Sequence, residues 1–117
     1  MARLIKREDL KRMIDEGEPF VLLNVLDRNV YGCEHICGSI NIPVNEIEAE
    51  APSAIRKDEL VVVYCGGPSC TASENAKDTL ESIGYFNVRR YKGGLEEWKK
   101  AGYCVTGDVH EKAEKAA

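Results

Sequence analysis

Continuous apolar runs alternate along this chain with segments whose apolar residues recur at helical spacing. The runs over residues 20–26 and 60–64 predict strands buried on both faces, because a half-exposed strand would alternate apolar and polar residues. Helical spacing over residues 7–16 and 69–83 predicts two amphipathic helices. The second helix has an apolar face formed by Ala72, Ala76, Leu80 and Ile83.

Shorter elements fill the rest of the pattern. We expect short strands over residues 40–42 and 87–91, one or two helical turns over 44–55, and a short helix over 95–101 that carries Trp98 in the core. Residues 27–39 have a loop-like composition. Ser69 is a predicted N-cap, and Gly17 and Gly84 are predicted helix ends. Alternating strands and helices predict an α/β fold with a mostly parallel sheet.

Composition limits the domain count and the partners. The 117 residues suffice for one compact domain, which we place at residues 1–107, followed by a polar tail at 108–117. The formal charge of -4 and the lack of a Lys/Arg-rich run predict no nucleic-acid partner. The apolar runs are too short to cross a membrane. The first residues do not resemble a secretory signal, so we expect a cytoplasmic protein.

The five cysteines form an odd set, which favours free thiols over a framework of disulfides. We therefore expect Cys104 to be a packed thiol. Cys33, His35 and Cys37 could in principle face one metal ion, but zinc sites usually pair two C-x2-C units and need a fourth ligand. The sequence thus predicts no metal and no cofactor, with a Cys33–Cys37 redox pair as an alternative.

Cys65 is the candidate nucleophile. It ends the apolar run of residues 60–64 and stands just before a glycine-rich loop and a predicted helix. A thiol at such a place faces backbone N–H groups and the positive end of a helix dipole, which favour the thiolate. The loop that we expect to bind substrate through its backbone comprises Gly66, Gly67, Pro68, Ser69, Cys70 and Thr71.

Three segments in order resemble the signatures of the rhodanese-like (sulfurtransferase) domain. They are E-H-I-C-G-S-I-N-I-P at residues 34–43, V-V-V-Y-C at 61–65, and G-G-L-E-E-W-K-K-A-G at 93–102. The resemblance implies a mostly parallel five-stranded sheet with helices on both faces. It also implies that Cys65 accepts sulfane sulfur as a persulfide from a small sulfur donor or a protein persulfide. The sulfur would then pass to a thiol or another nucleophile.

The chain departs from the family pattern at three positions. Asn24 and Leu26 stand where the family often has an aspartate and an arginine, and Cys70 stands where its loop often ends in arginine. A loop without a cation lacks the bidentate partner of a doubly charged donor such as thiosulfate. We therefore expect a persulfide donor, and a site held by backbone amides and a helix dipole alone.

Cys70 introduces alternatives. It is a candidate resolving thiol, which would attack the inner sulfur of a Cys65 persulfide, expel sulfide and leave a Cys65–Cys70 disulfide. The same pair could serve as a thiol redox switch, and a non-enzymatic interaction module is a third hypothesis. A phosphatase with a C-x5-R loop is disfavoured, because Thr71 occupies the arginine position and phosphoryl transfer needs a cation there.

Overall fold

A computed structural model of the protein describes residues 3–108. Its strands are β1 (Val21–Asn24), β2 (His35–Ile36), β3 (Ile40–Asn41), β4 (Val61–Tyr64), β5 (Val88–Arg90) and β6 (Val105–Thr106). A parallel sheet has the order β3-β1-β4-β5, and β2 pairs antiparallel with β6 in a separate ribbon. The α/β class with a mostly parallel sheet is therefore confirmed.

The number of strands differs from the expected five. Within residues 3–108 the central sheet has four strands, and beyond β5 only Leu4 pairs, through an isolated bridge to Arg90. Two backbone hydrogen bonds hold this edge, from Ile5 N–H to the Arg90 carbonyl at 3.0 Å and from Arg90 N–H to the Arg3 carbonyl at 2.7 Å. The segment turns into a helix at Arg7, so it is too short to build a further strand.

Helices cover both faces of the sheet, as predicted. They are α1 (Arg7–Asp15), α2 (Arg28–Cys33), α3 (Ile47–Ala54), α4 (Ala72–Ser82) and α5 (Gly94–Lys100), with a 3-10 turn at Val44–Glu46. On one face α3 and α4 bury Ile47, Ala76 and Leu80 against the sheet. On the other face α1 and α5 bury Leu10 and Trp98. All four residues of β4 are buried, which explains its unbroken apolar run.

Two local predictions are wrong. Residues 27–39 were expected to be a loop, but they contain α2 and β2; α2 buries none of its residues and so carries no apolar periodicity. Ser69 does not cap the long helix, which begins at Ala72 with Thr71 as its N-cap. Gly17 and Gly84, with φ of 69° and 107°, do follow the ends of α1 and α4.

Trp98 packs in the core, as predicted, and its indole N–H donates to the Cys104 carbonyl at 3.0 Å. None of the helices within residues 3–108 has both the length and the apolar character needed to span a bilayer. The predicted polar tail, apart from Asp108, lies outside the described residues.

Candidate active site

Cys65 follows the last residue of β4, one of the two inner strands, at the edge where the parallel strands end. Residues 66–71 form the loop that leads into α4. In open parallel sheets this edge is where ligands bind. The side chain of Cys65 lies beneath the loop, with the residue only 1% exposed, whereas Cys70 at the far end of the loop is half-buried.

The surroundings of Cys65 do not favour its thiolate. Its Sγ lies 3.4 Å from the Ser73 hydroxyl and 3.6 Å from the Cys70 carbonyl. Burial, together with the contact of its thiol with Cys70, raises the pKa of Cys65 despite hydrogen bonds with the side chain and backbone of Ser73. The expectation that this position would lower the pKa of Cys65 is therefore wrong, because desolvation outweighs the local dipoles.

The loop amides act on Cys70 instead. Burial opposes ionisation of Cys70, but hydrogen bonds from the Cys65 thiol and from the N–H groups of Ala72 and Gly66 lower its pKa. The charge of Arg90 acts in the same direction. Cys70 is therefore the thiol of the pair that ionises first, and the structure brings the two predicted cysteines into contact.

The remaining loop residues shape the turn. The Cys70 N–H donates to the Gly67 carbonyl at 3.1 Å, which closes the loop on itself. Pro68 has no N–H and lines two clefts on the outer surface. Thr71 is the N-cap residue of α4, although its side chain makes no capping hydrogen bond. Of the six predicted loop residues, Gly66 is the one whose amide reaches a thiol, that of Cys70.

The start of α5 holds the loop from the opposite side. The N–H groups of Leu95 and Glu96 donate to the carbonyls of Cys65 and Gly66, at 2.9 and 2.8 Å. Gly94 has a φ of 66°, and a Cβ there would lie 2.6 Å from the Cys65 carbonyl oxygen. The glycine pair of the third signature therefore serves this close contact as well as a turn.

Arg90 is the site residue that sequence reasoning missed. It is 8% exposed, and its side chain extends from β5 to the start of α4. There Nε donates to the Ser73 hydroxyl at 2.8 Å and Nη2 donates to the Cys70 carbonyl at 3.1 Å. The expectation of a site held by amides and a helix dipole alone is wrong. Strand alternation could have indicated Arg90, because it shares a face with buried Val88.

A hydroxyl network fixes the end of β4 just before Cys65. The Tyr64 hydroxyl accepts hydrogen bonds from Asn24 Nδ2 and from the Ile36 N–H, both at 3.0 Å, and contacts the Ser39 hydroxyl at 2.9 Å. Because Ser39 donates to the Ile36 carbonyl at 2.7 Å, Tyr64 must donate its own proton to Ser39. Tyr64 lies in the run over residues 60–64, from which only a buried strand was predicted, so its polar role was missed.

The cysteines outside the loop correct two predictions. Cys104 is not a packed thiol, because it forms a disulfide with Cys37 across a separation of 67 residues. The pairing Cys33–Cys37 is wrong, and Cys33 is an exposed free thiol. The three-residue metal set is excluded for the same reason, since the Cys37 sulfur is already bonded. His35 instead hydrogen-bonds the Tyr31 carbonyl through Nδ1 at 2.7 Å.

Several clefts lie at the surface around the loop. One, of about 500 Å³, is lined by Pro68, Tyr91, Gly93 and residues 4–8. A second, of about 330 Å³, is lined by Glu34, Gly66 and four residues of α5, which are Leu95, Glu96, Lys99 and Lys100. Cys65 and Cys70 line neither of these two clefts.

Comparison with known proteins shows which family and which relatives this chain resembles. A family model described as the rhodanese-like domain matches residues 6–101. The chain is 34% identical over 101 residues to the HTH-type transcriptional regulator Rv0324 of Mycobacterium tuberculosis, covering 86% of this chain and 43% of that protein. It thus spans less than half of that relative's length.

Two further matches cover a larger share of the matched protein. The chain is 29% identical over 108 residues to the thiosulfate:glutathione sulfurtransferase of Saccharomyces cerevisiae, covering 81% of this chain and 76% of that protein. The solution structure of the rhodanese-like domain from the Anabaena sp. Alr3790 protein superposes with a TM-score of 0.84 at 32% identity. That match covers 96% of this chain and 84% of the Anabaena chain.

Proposed function

Because the chain belongs to the rhodanese-like domain family, we propose that it transfers sulfane sulfur and that Cys65 carries this sulfur as a persulfide. The observation that supports this most is the position of Cys65, which follows the inner strand β4 under a loop closed by the N-terminus of α5. The yeast relative named as a thiosulfate:glutathione sulfurtransferase supports the reaction class.

Loading begins with the proton of Cys65. The neighbouring Cys70 thiolate, which forms first, accepts this proton through the contact between the two thiols. The Cys65 thiolate then attacks the outer sulfur of a persulfide donor R–S–SH. A sulfur–sulfur bond forms to Cys65, the bond in the donor breaks, and the electron pair leaves with R–S⁻, which gives Cys65–S–SH.

Unloading has two routes. An acceptor thiolate can attack the outer sulfur, which returns Cys65 as a thiolate and transfers the sulfur. Alternatively the Cys70 thiolate attacks the inner sulfur of Cys65–S–SH, which expels HS⁻ and forms a Cys65–Cys70 disulfide. Cys70 serves as a resolving thiol in this second route, and the contact between the two thiols supports it.

Intact mass spectrometry tests the proposal. We expect the wild-type protein to gain one sulfur atom on incubation with glutathione persulfide, and less with thiosulfate. The Cys65→Ala variant should gain none. Cys33→Ser is the matched control, because Cys33 is a free but exposed thiol far along the chain from the loop. It should load like the wild type.

The other outcomes would contradict the proposal in distinct ways. Sulfur that maps to Cys70 or Cys33 after proteolytic digestion would show a different carrier. A loss of two hydrogens at Cys65 and Cys70 without any sulfur gain would favour a thiol redox switch; the Cys37–Cys104 disulfide must be assigned separately in that digest. No change with any donor would favour an interaction module.

A further inference from the structure

Among the described residues, Arg90 is a buried cation without an acidic partner. It is 8% exposed, and within residues 3–108 no carboxylate lies at ion-pair distance from its guanidinium. A buried charge that lacks an opposite charge is costly, and an anion that forms beside it reduces this cost. Its hydrogen-bond partners are neutral oxygens, the Ser73 hydroxyl and the Cys70 carbonyl, and both belong to the surroundings of the two thiols.

Ser73 connects the guanidinium to Cys65. Its hydroxyl oxygen accepts from Arg90 Nε at 2.8 Å and lies 3.4 Å from Cys65 Sγ. While Cys65 is protonated, its thiol donates to this oxygen. When Cys65 becomes a thiolate, the Ser73 hydroxyl can rotate and donate to the sulfur, while Arg90 continues to bind the oxygen. The oxygen thus stays in place while the direction of one hydrogen bond reverses.

We propose that Arg90 is a positioning residue that stabilises negative charge on the Cys65–Cys70 thiol pair, through the Ser73 hydroxyl and the Cys70 carbonyl. The loop over residues 66–71 contains no lysine or arginine, so a positive charge beside the thiols must come from another element. Strand β5 supplies this positive charge, because it lies directly beside β4, the strand that leads into Cys65. The inference deepens the proposed function, since a persulfide carrier needs a stabilised anionic sulfur.

Three other charged groups on the surrounding elements have partners of their own. They are Lys77 with Glu81 on α4 at 2.9 Å, Glu96 of α5 with Lys100 at 3.3 Å, and Arg3 with the Phe86 carbonyl at 3.4 Å. Arg90 is also the charged side chain whose field lowers the pKa of Cys70. These contacts make Arg90 the cation to test.

The experiment measures thiolate formation in the protein without any sulfur donor. The rate of alkylation by iodoacetamide is followed against pH, and the modified cysteine is identified by digestion and mass spectrometry. We expect Arg90→Met to raise the apparent pKa of the pair by about one unit, so alkylation at neutral pH slows about tenfold. Arg90→Lys, which keeps the charge, should recover most of this rate.

Arg89 provides a matched control on the same strand, because it is exposed on the opposite face of the sheet. Arg89→Met should leave the pH profile unchanged. A folded Arg90→Met variant with the wild-type profile would overturn the proposal, as would an Arg90→Lys variant shifted as far as Arg90→Met. If Arg90→Met does not fold, Ser73→Ala decides, because it removes the connection and keeps the cation.

We expect Ser73→Ala to slow alkylation of Cys65 at neutral pH about tenfold, in line with the loss of one hydrogen bond to a charged sulfur. An unchanged profile in a folded Ser73→Ala variant would overturn the role of Ser73 as the connecting group. Because no sulfur donor is present, the result is independent of whether the protein loads sulfur. Failure of this inference and failure of the proposed function are therefore distinguishable.

Discussion

The side-chain amide of Asn24 donates from Nδ2 to the hydroxyl of Tyr64 at 3.0 Å, and both residues are fully buried. They face each other across paired strands, because Asn24 and Tyr64 are register partners at the ends of β1 and β4. The other amide atom, Oδ1, accepts from the Leu26 N–H at 2.9 Å. A neutral amide can satisfy both partners, since it presents a donor and an acceptor on one side chain.

Tyr64→Phe should destabilise the protein by about 1–3 kcal/mol, because it leaves buried donors on Asn24 and Ile36 without their shared acceptor. Unfolding by denaturant, followed by circular dichroism, measures the change. Tyr103→Phe is the control, since the Tyr103 hydroxyl makes no protein hydrogen bond within residues 3–108 and its ring still packs on Trp98. Equal losses in both variants would contradict the role of the network.

Stability should fall at alkaline pH. Burial raises the pKa of Tyr64 despite the opposing effect of its hydrogen bonds with Ser39, Asn24 and Ile36. A raised pKa in the folded state means that the contribution of Tyr64 is fully present below about pH 10 and is lost as the pH rises further. The unfolding free energy measured from about pH 8 to about pH 11 should decline more steeply in wild type than in Tyr64→Phe. Parallel curves would be evidence against this.

Gly94→Ala should damage the loop. The new Cβ would lie 2.6 Å from the Cys65 carbonyl oxygen and 2.8 Å from the Gly67 nitrogen, so the loop must shift. Gly102 is the control, because it has a similar φ of 77° but nothing within 4 Å of a Cβ. Gly102→Ala should cost about 1–2 kcal/mol from backbone strain, whereas Gly94→Ala should cost more and also reduce sulfur loading. Similar effects on loading would contradict the contact.

Loss of the Cys37–Cys104 disulfide should lower the free energy of unfolding. It closes 67 residues of chain, and removal of a native bridge in a small domain costs about 2–5 kcal/mol. The double variant Cys37→Ser with Cys104→Ser is compared with Cys33→Ser by denaturant unfolding under non-reducing conditions. We expect the first to lose stability and the second to keep it. A double variant as stable as the wild type would show that the bridge does not form in solution.

Cys70→Ser should separate the two roles proposed for Cys70. Loading of Cys65 should reach the same final mass gain, but more slowly at neutral pH, because the neighbouring thiolate that accepts the proton is gone. Release of sulfide in the absence of added thiol should be strongly reduced, since no resolving thiol remains. Sulfide is measured in the supernatant and compared with Cys33→Ser. Equal release from both variants would exclude the resolving role.

Local patterns determined the core elements and the candidate nucleophile. The apolar runs over residues 20–26 and 60–64 contain the buried strands β1 and β4; both faces of these strands are covered, so they need no polar alternation. The amphipathic face of α4 is confirmed by the burial of Ala76 and Leu80. The placement of Cys65 at the strand ends follows from its position directly after β4. Each of these depends on neighbours in the chain.

Only the tertiary structure decided which groups act on Cys65 and which cysteines form a disulfide. Arg90 reaches the site from another strand, Cys104 bonds Cys37 from 67 residues away, and desolvation raises the pKa of Cys65 where the loop dipoles alone predicted the reverse. Charge, burial and disulfide pairing depend on distances through space, which the order of residues does not state. The sequence by itself therefore determined the fold class and the candidate thiol, and the packing of β4, β5 and α4 decided its electrostatics.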